Sequence, residues 1–380
     1  MDFQLNEQQE LVRQMTHDFA ENERLPRATK HDREETIDKE VFCQLAELGL
    51  WGMTVPEQYG GAGMGNIELA IALEELNRAC ASTGVTVSVH NSLLGAPINK
   101  WGTEEQKQAW LPKLATGEVI GSYCLTEPNA GSDAAAVMVS AKADGDGWVL
   151  DGTKIWVTNG GWAGLFLVYA RTNTGVSNAK GVSAFLVPAD APGVSVGKKE
   201  EKTGIRGSST TEVIFENVKL GPEALLGEVD KGFMIAMDTL DGGRIGIASQ
   251  SVGIGRACLE ASIKYAGERE QFGRPIGAFQ AVQFKIADMG TRLDAARLLV
   301  RRAAWMRDRG ERCGTQAAMA KVSASQAANF AADECLQIHG GAGYTDDFHV
   351  ERLFRDARIT EIYEGATDIQ RIVISRGLMG

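Results

Sequence analysis

The hydrophobic period of this chain switches twice, and the switch limits the folds open to it. From Asn6 the apolar residues Leu11, Val12, Met15 and Phe19 recur at helical spacing, and Asn6 with Gln9 three residues on makes a capping-box pattern. Helical periodicity returns at 38–48 and 68–80, and Thr103-Glu104-Glu105-Gln106 opens a further amphipathic segment that ends near Gly117. After Gly121 the pattern turns strand-like. Residues 148–158 read as two β-rich runs around an Asp151-Gly152 turn, a hairpin signal, and further runs follow at 165–169, 182–187, 194–196 and 212–215. From Lys231 helix-forming composition resumes, with long stretches at 244–268, 279–309 and 315–339. Helix, then strand, then helix is not the alternation of most α/β proteins. A chain of 380 residues is also too long for one ordinary core. The expected architecture is α+β and multidomain: an N-terminal all-α domain at 1–120, an antiparallel β domain at 121–226 and a C-terminal four-helix bundle at 227–380.

Charge narrows the partners. With 50 acidic against 39 basic residues the net charge is −11, so nucleic acid or an anionic membrane as main partner is not expected, because those need a net basic footprint. Six cysteines stand far apart with no C-x-x-C, which points away from zinc or a disulfide framework and toward a reducing cytoplasm. The first residues carry no leader pattern, and no apolar run approaches the ~18 residues of a membrane span. Glycine is in surplus, 44 residues where ~7% of a chain is usual. Outside the β segment it gathers at Gly242/Gly243/Gly246, Gly273/Gly277, Gly340/Gly341/Gly343 and Gly365, as backbone meeting a ligand would require.

Common nucleotide and hydrolase motifs fail. No G-x-G-x-x-G, Walker-type loop or H-E-x-x-H is present. Gly193-Val194-Ser195-Val196-Gly197 matches G-x-S-x-G, yet it alternates like a strand, whereas a nucleophile elbow needs a strand-to-helix turn. Three other segments combine polar residues with glycine. In Tyr123-Cys124-Leu125-Thr126-Glu127-Pro128-Asn129-Ala130-Gly131-Ser132-Asp133 hydroxyls and flexible backbone could serve a polyol or pyrophosphate, though an ordinary turn would look the same. Arg269–Gln280 sets two guanidiniums suited to phosphate in a helix connection. Near the C-terminus, Ile362-Tyr363-Glu364-Gly365 places a carboxylate before a glycine; alone, Glu364 would read as a surface residue.

In this order, Leu-Thr-Glu-Pro-x-Ala-Gly-Ser-Asp, Trp-Val-Thr-Asn-Gly, Arg-x-Gln-Phe-Gly, Gln-Ile-x-Gly-Gly-x-Gly-Tyr and Ile-Tyr-Glu-Gly closely resemble the acyl-CoA dehydrogenase family over the whole chain. The segments 198–206 and 239–246 resemble its short-chain, butyryl-CoA type. The resemblance implies an FAD enzyme of fatty-acid β-oxidation that converts an acyl-CoA thioester to the trans-2-enoyl-CoA. Glu364 would remove the pro-R α-proton while the β-hydride passes to flavin N5. A carboxylate can do this only if burial raises its pKa and the α-proton is acidified, here by an oxyanion-type contact from the Glu364 N–H and an FAD ribityl hydroxyl. Gly365 would let the thioester approach. The alternative position for the base found in some relatives is Gly243 here. The resemblance further assigns Asp241, Arg244 and Ser132 to the substrate. It assigns Tyr123, Leu125, Thr126, Gly131, Ser132, Trp156 and Thr158 to the flavin. Arg269, Gln271, Phe272, Phe279, Gln280, Gln337, Ile338, Gly340, Gly341, Thr367 and Asp368 would hold FAD, several of them across a subunit interface. That implies a homotetramer built as a dimer of dimers. The usual hydroxyl after Glu-Gly is displaced, since Ala366 precedes Thr367.

An arginine that reads a distal carboxylate in a glutaryl-CoA relative would fall near Gly84-Val85, so an uncharged tail is expected. His90-Asn91 is either structural or a reader of a branched, cyclic or oxygenated tail. Rival readings are a non-catalytic acyl-CoA binder, against which Glu364 argues, and an acyl-CoA oxidase, which is usually longer beyond the base. Electron-transfer flavoprotein is then the expected electron acceptor.

Overall fold

The computed structural model describes residues 3–176 and 178–380. Seven helices come first: α1 (Glu7–Phe19), α2 (Leu25–Arg33), α3 (Lys39–Glu47), α4 (Asn66–Ala79), α5 (Ala81–Ser88), α6 (Ala96–Trp101) and α7 (Glu104–Ala115). Both capping boxes form, Asn6 with Gln9 and Thr103 with Gln106, so the first turns of α1 and α7 have side-chain partners for N–H groups the helix cannot satisfy. α5 runs into α6 through a π-helical stretch, Val89–Gly95. Their shared core holds Val41, Leu45, Leu50, Trp51, Leu69, Leu73 and Leu76.

The strands are β1 (Ile120–Cys124), β2 (Ser140–Asp144), β3 (Gly147–Thr158), β4 (Ala163–Arg171), β5 (Val182–Pro188), β6 (Val194–Lys199), β7 (Thr210–Leu220) and β8 (Leu225–Leu226). They form one sheet in the order β6-β7-β3-β2-β4-β5-β8, with β1 beside β4. The pairing is antiparallel apart from β1 on β4 and a single Ser140–Arg171 bridge. The hairpin expected at Asp151-Gly152 does not exist. Both residues lie inside β3, and the chain turns earlier, between Asp144 and Gly147. Gly152 has φ +133° where the β3–β7 register slips, and a Cβ there would stand 2.9 Å from Val139 Cγ2. An Asp-Gly pair serves a bulge as readily as a turn, since both need a backbone that only glycine adopts freely. The G-x-S-x-G match enters strand β6, as its alternation implied.

After the two-residue strands β9 (Glu270–Gln271) and β10 (Arg274–Pro275), the C-terminal region is helical. It holds α9 (Gln280–Asp308), α10 (Gly314–His339), α11 (Val350–Arg358) and α12 (Thr367–Met379), preceded by α8 (Gly232–Glu268). α8 starts at Gly232, well before the expected Arg244. Gly242, Gly243 and Gly246 look like helix breakers but face Arg307, Glu364 and Ser88 at close range. These glycines make room for the chain's own side chains, Glu364 among them. Alanines Ala317, Ala320, Ala324, Ala327 and Ala331 of α10 let the bundle close tightly around Val252, Leu293 and Val300.

His90 is structural. Fully buried, it accepts the Gly121 N–H on Nδ1 at 3.0 Å and donates from Nε2 to the Leu114 carbonyl at 3.1 Å. Burial pushes its pKa down to about 4, so the ring is neutral and ties the end of α7 to β1. Asn91 donates to the Leu50 and Val87 carbonyls.

A Cβ on Gly253 of α8 would lie 2.4 Å from the Glu74 carbonyl oxygen of α4. Gly253→Ala gains up to about 1 kcal/mol of helix propensity but forces two backbones apart, a cost of about 1–3 kcal/mol. A lowered melting temperature is the expected outcome, and a raised one would contradict this packing.

Candidate active site

Between α11 and α12 the chain makes a turn in which two consecutive residues are left-handed, Glu364 at φ +49° and Gly365 at φ +94°. For glutamate this conformation is strained, and surrounding donors hold it. Gly365 O accepts from Lys321 Nζ at 2.8 Å and from Gln370 Nε2 at 3.0 Å. A Cβ on Gly365 would meet Gln370 Nε2 at 2.1 Å, so glycine here answers both the dihedral and the clamp. The turn aims the Glu364 carboxylate inward. Its Oε2 is covered and has no hydrogen-bond partner, and it sits where a Cβ on Gly243 would be, 2.3 Å away, beside Leu93. Burial raises its pKa to about 7, opposed by the positive charges of Lys321 and Arg244. The Glu364 N–H also makes no hydrogen bond among the described residues.

Around it stand Arg244, buried and bonded through Nη1 to Asp241 at 2.5 Å, and Tyr123, whose hydroxyl is buried without a partner. Tyr123 packs on Tyr169 with ring centroids 5.1 Å apart, and burial drives its pKa far up. Tyr363 donates to Gln250.

The sheet supplies a second group of residues. Lys154 on β3 and Glu127 form a buried ion pair at 2.7 Å; Lys154 also donates to the Leu125 carbonyl at 2.9 Å, and Glu127 accepts the Met138 and Val139 N–H groups. The Ile155 N–H reaches the Thr126 carbonyl at 2.9 Å. These bonds fix both ends of the segment that exposes Gly131 and Ser132. On the same strand Trp156 adopts φ +58° and is 57% exposed. The Thr158 carbonyl accepts from Ser122, while its own hydroxyl has no partner among the described residues.

A third group lies on the surface. Arg269, Gln271, Phe272 and Gln280 are exposed, Phe272 at 93% and with φ +54°, and Phe279 packs under the Arg274 guanidinium. Gln337, Gly340 and Gly341 are exposed at the end of α10, whereas Ile338 is buried. Thr367 spends its hydroxyl on the Glu361 carbonyl at 3.2 Å, and Asp368 pairs with Arg371 in solvent. The structure thus brings Glu364, Gly365, Arg244, Asp241 and Tyr123 together, and sets Arg269, Gln271, Phe272, Gln280, Gln337, Gly340 and Gly341 on the outside of the same chain. Among the described residues no group of His, Cys, Asp and Glu could hold a metal ion, and no helix is long and apolar enough to cross a membrane.

Family models for the acyl-CoA dehydrogenase N-terminal, middle and C-terminal domains match residues 6–118, 122–218 and 230–379. The chain belongs to the acyl-CoA dehydrogenase family. It is 49% identical over 376 residues to the short-chain specific acyl-CoA dehydrogenase, mitochondrial, of Bos taurus, covering 99% of this chain and 91% of that one. Among solved structures, butyryl-CoA dehydrogenase from Megasphaera elsdenii superposes with a TM-score of 0.98 at 41% identity over the full length of both chains. A chain from the structure described as "Electron transferring flavoprotein of Acidaminococcus fermentans: Towards a mechanism of flavin-based electron bifurcation" matches with TM-score 0.98 and 44% identity, also over both full lengths.

The residues of this dehydrogenase fit a flavin. Trp156 offers an exposed indole face on strained backbone, the Thr158 hydroxyl has no partner among the described residues, and nothing among them lies within 4 Å of where Cβ atoms would stand on Gly131, Gly340 and Gly341. Motif reading missed the Glu127–Lys154 pair, Lys321 and Gln370. Glu127 did stand inside a quoted motif, but a lone Lys in an alanine-rich helix carries no signal that separates it from a surface lysine.

Lys154→Met leaves the Glu127 carboxylate buried without its cation, which costs about 3–5 kcal/mol. The expected result is a marked fall in melting temperature and loss of bound flavin on gel filtration, and a variant that melts and retains flavin like the parent would contradict the clamp.

Proposed function

We propose that this acyl-CoA dehydrogenase oxidises an uncharged short-chain acyl-CoA to the trans-2-enoyl-CoA, with Glu364 as the base. The observation that carries the reading is the Glu364 carboxylate, buried, unpartnered at Oε2 and seated over Gly243. A carboxylate with a free lone pair and a pKa near neutrality suits removal of a weakly acidic C–H proton. Its unpaired backbone N–H suits the thioester oxygen, where a donor favours the charge that develops as the α-proton leaves. Arg244 holds Asp241 and adds positive charge beside the carboxylate. FAD, bound by the Tyr123–Ser132 segment, Trp156 and Thr158, supplies the hydride acceptor. A short tail is supported by the tight approach of α5 and the π-helical segment after it to α8, where Leu93 and Ser88 stand close over Gly243 and Gly246.

Arg269, Gln271, Phe272, Phe279, Gln280, Gln337, Ile338, Gly340 and Gly341 belong in this reading to the FAD pyrophosphate and adenosine sites. The exposed aromatic and guanidinium groups among them suit completion by a second subunit in a homotetramer. Thr367 and Asp368, whose side chains bond within the chain, are the outer edge of that site. Electron-transfer flavoprotein is the proposed acceptor of the electrons. Free cysteines at all six positions, five of them buried, suit a cytoplasmic setting.

Purified protein should be yellow and bleach anaerobically with butyryl-CoA. In Glu364→Gln the bleaching rate should fall by about 10³-fold or more with flavin still bound; bleaching at the parental rate would sink the assignment.

A further inference from the structure

Lys321 is a buried charged group beside the active site that this chemistry leaves unexplained. It lies in α10 with 0% exposure, among the alanines that close the bundle. Burying an ammonium is costly unless it is paired, yet no ion pair of Lys321 within 4 Å exists among the described residues. Its one hydrogen bond among the described residues goes to the Gly365 carbonyl, at 2.8 Å. Burial lowers its pKa to about 8, with Glu364 and Glu361 opposing the fall and Arg244 adding to it. It therefore still carries its charge at neutral pH.

The anchor explains why the charge does not quench the base. A direct Lys–Glu salt bridge would occupy the lone pair that must take the proton. Tethered to the carbonyl of the next residue, the ammonium reaches Glu364 through its field alone, and Oε2 stays unbonded. The groups that face Glu364 are Lys321 from α10, Arg244 from α8, Tyr123 from β1 and Tyr363 next to it. Of these only Lys321 also bonds the strained turn, sharing the Gly365 carbonyl with Gln370.

We propose that Lys321 is a positioning residue for the Glu364 base, fixing its left-handed turn through the Gly365 carbonyl and supplying a positive charge that leaves the carboxylate lone pair free. This rests on the reading of Glu364 as the base. The test titrates the Glu364 carboxyl by difference infrared spectroscopy in the FAD-bound protein, with the band identified by its loss in Glu364→Gln, alongside kcat against pH with butyryl-CoA. In Lys321→Met the midpoint should rise by about one unit and the rising limb of kcat should move with it, while Lys321→Arg restores both. Lys321→Gln, which can still donate to Gly365 but has no charge, should share the raised midpoint and melt closer to the parent than Lys321→Met. A midpoint unchanged in both uncharged variants would overturn the proposal. The infrared titration does not depend on turnover, so bleaching that survives in Glu364→Gln would overturn the base assignment separately.

Discussion

The structure depends on one electrostatic imbalance: a half-buried carboxylate, Glu364, with one oxygen taken out of water and no hydrogen bond to compensate it. A buried polar atom with no partner is normally a cost that folds avoid. Here the cost is met by rigid surroundings. The turn at Glu364 and Gly365 is pinned by Lys321 and Gln370, and the missing Cβ of Gly243 provides the space that the carboxylate fills. Two cations moderate the desolvation without binding the acid, so the group sits near neutrality and not at either extreme. That middle position is what general-base chemistry at physiological pH asks for.

The sheet does a separate job by similar means. Glu127 and Lys154 are buried together, and the carboxylate also takes two backbone N–H groups. This pair is satisfied where Glu364 is not, and the contrast separates their roles. A fully bonded charge fixes a loop; an unbonded one is what the proposed base requires. The loop so fixed carries Gly131 and Ser132, and the strand that bears Lys154 also presents Trp156.

Much of this was legible in the sequence where local rules decide. Asn6 with Gln9 and Thr103 with Gln106 announced their helices because capping is a short-range bond. Glu364 was legible through Ile-Tyr-Glu-Gly. One misreading shows that a glycine's reason for being glycine lies in what faces it. Gly152 looked like a turn and serves a bulge against Val139. At Gly242, Gly243 and Gly246, read as backbone meeting a ligand, the helix is unbroken and the nearest groups are Arg307, Glu364 and Ser88. Lys154 and Lys321 were illegible for a related reason: burial decides what a lysine does, and one residue's burial is set by distant chain. His90 was open between two roles until its two ring nitrogens were found bonded to Leu114 and Gly121.

The most direct measurement of the central claim is the pH dependence of anaerobic flavin bleaching by butyryl-CoA in a single turnover of the parent enzyme. Burial of an unbonded Glu364, with a pKa of about 7, predicts a rate that climbs with pH and reaches half its plateau near 7. A rate already on its plateau at pH 5.5 would mean an ordinary, solvated carboxylate and would contradict the account.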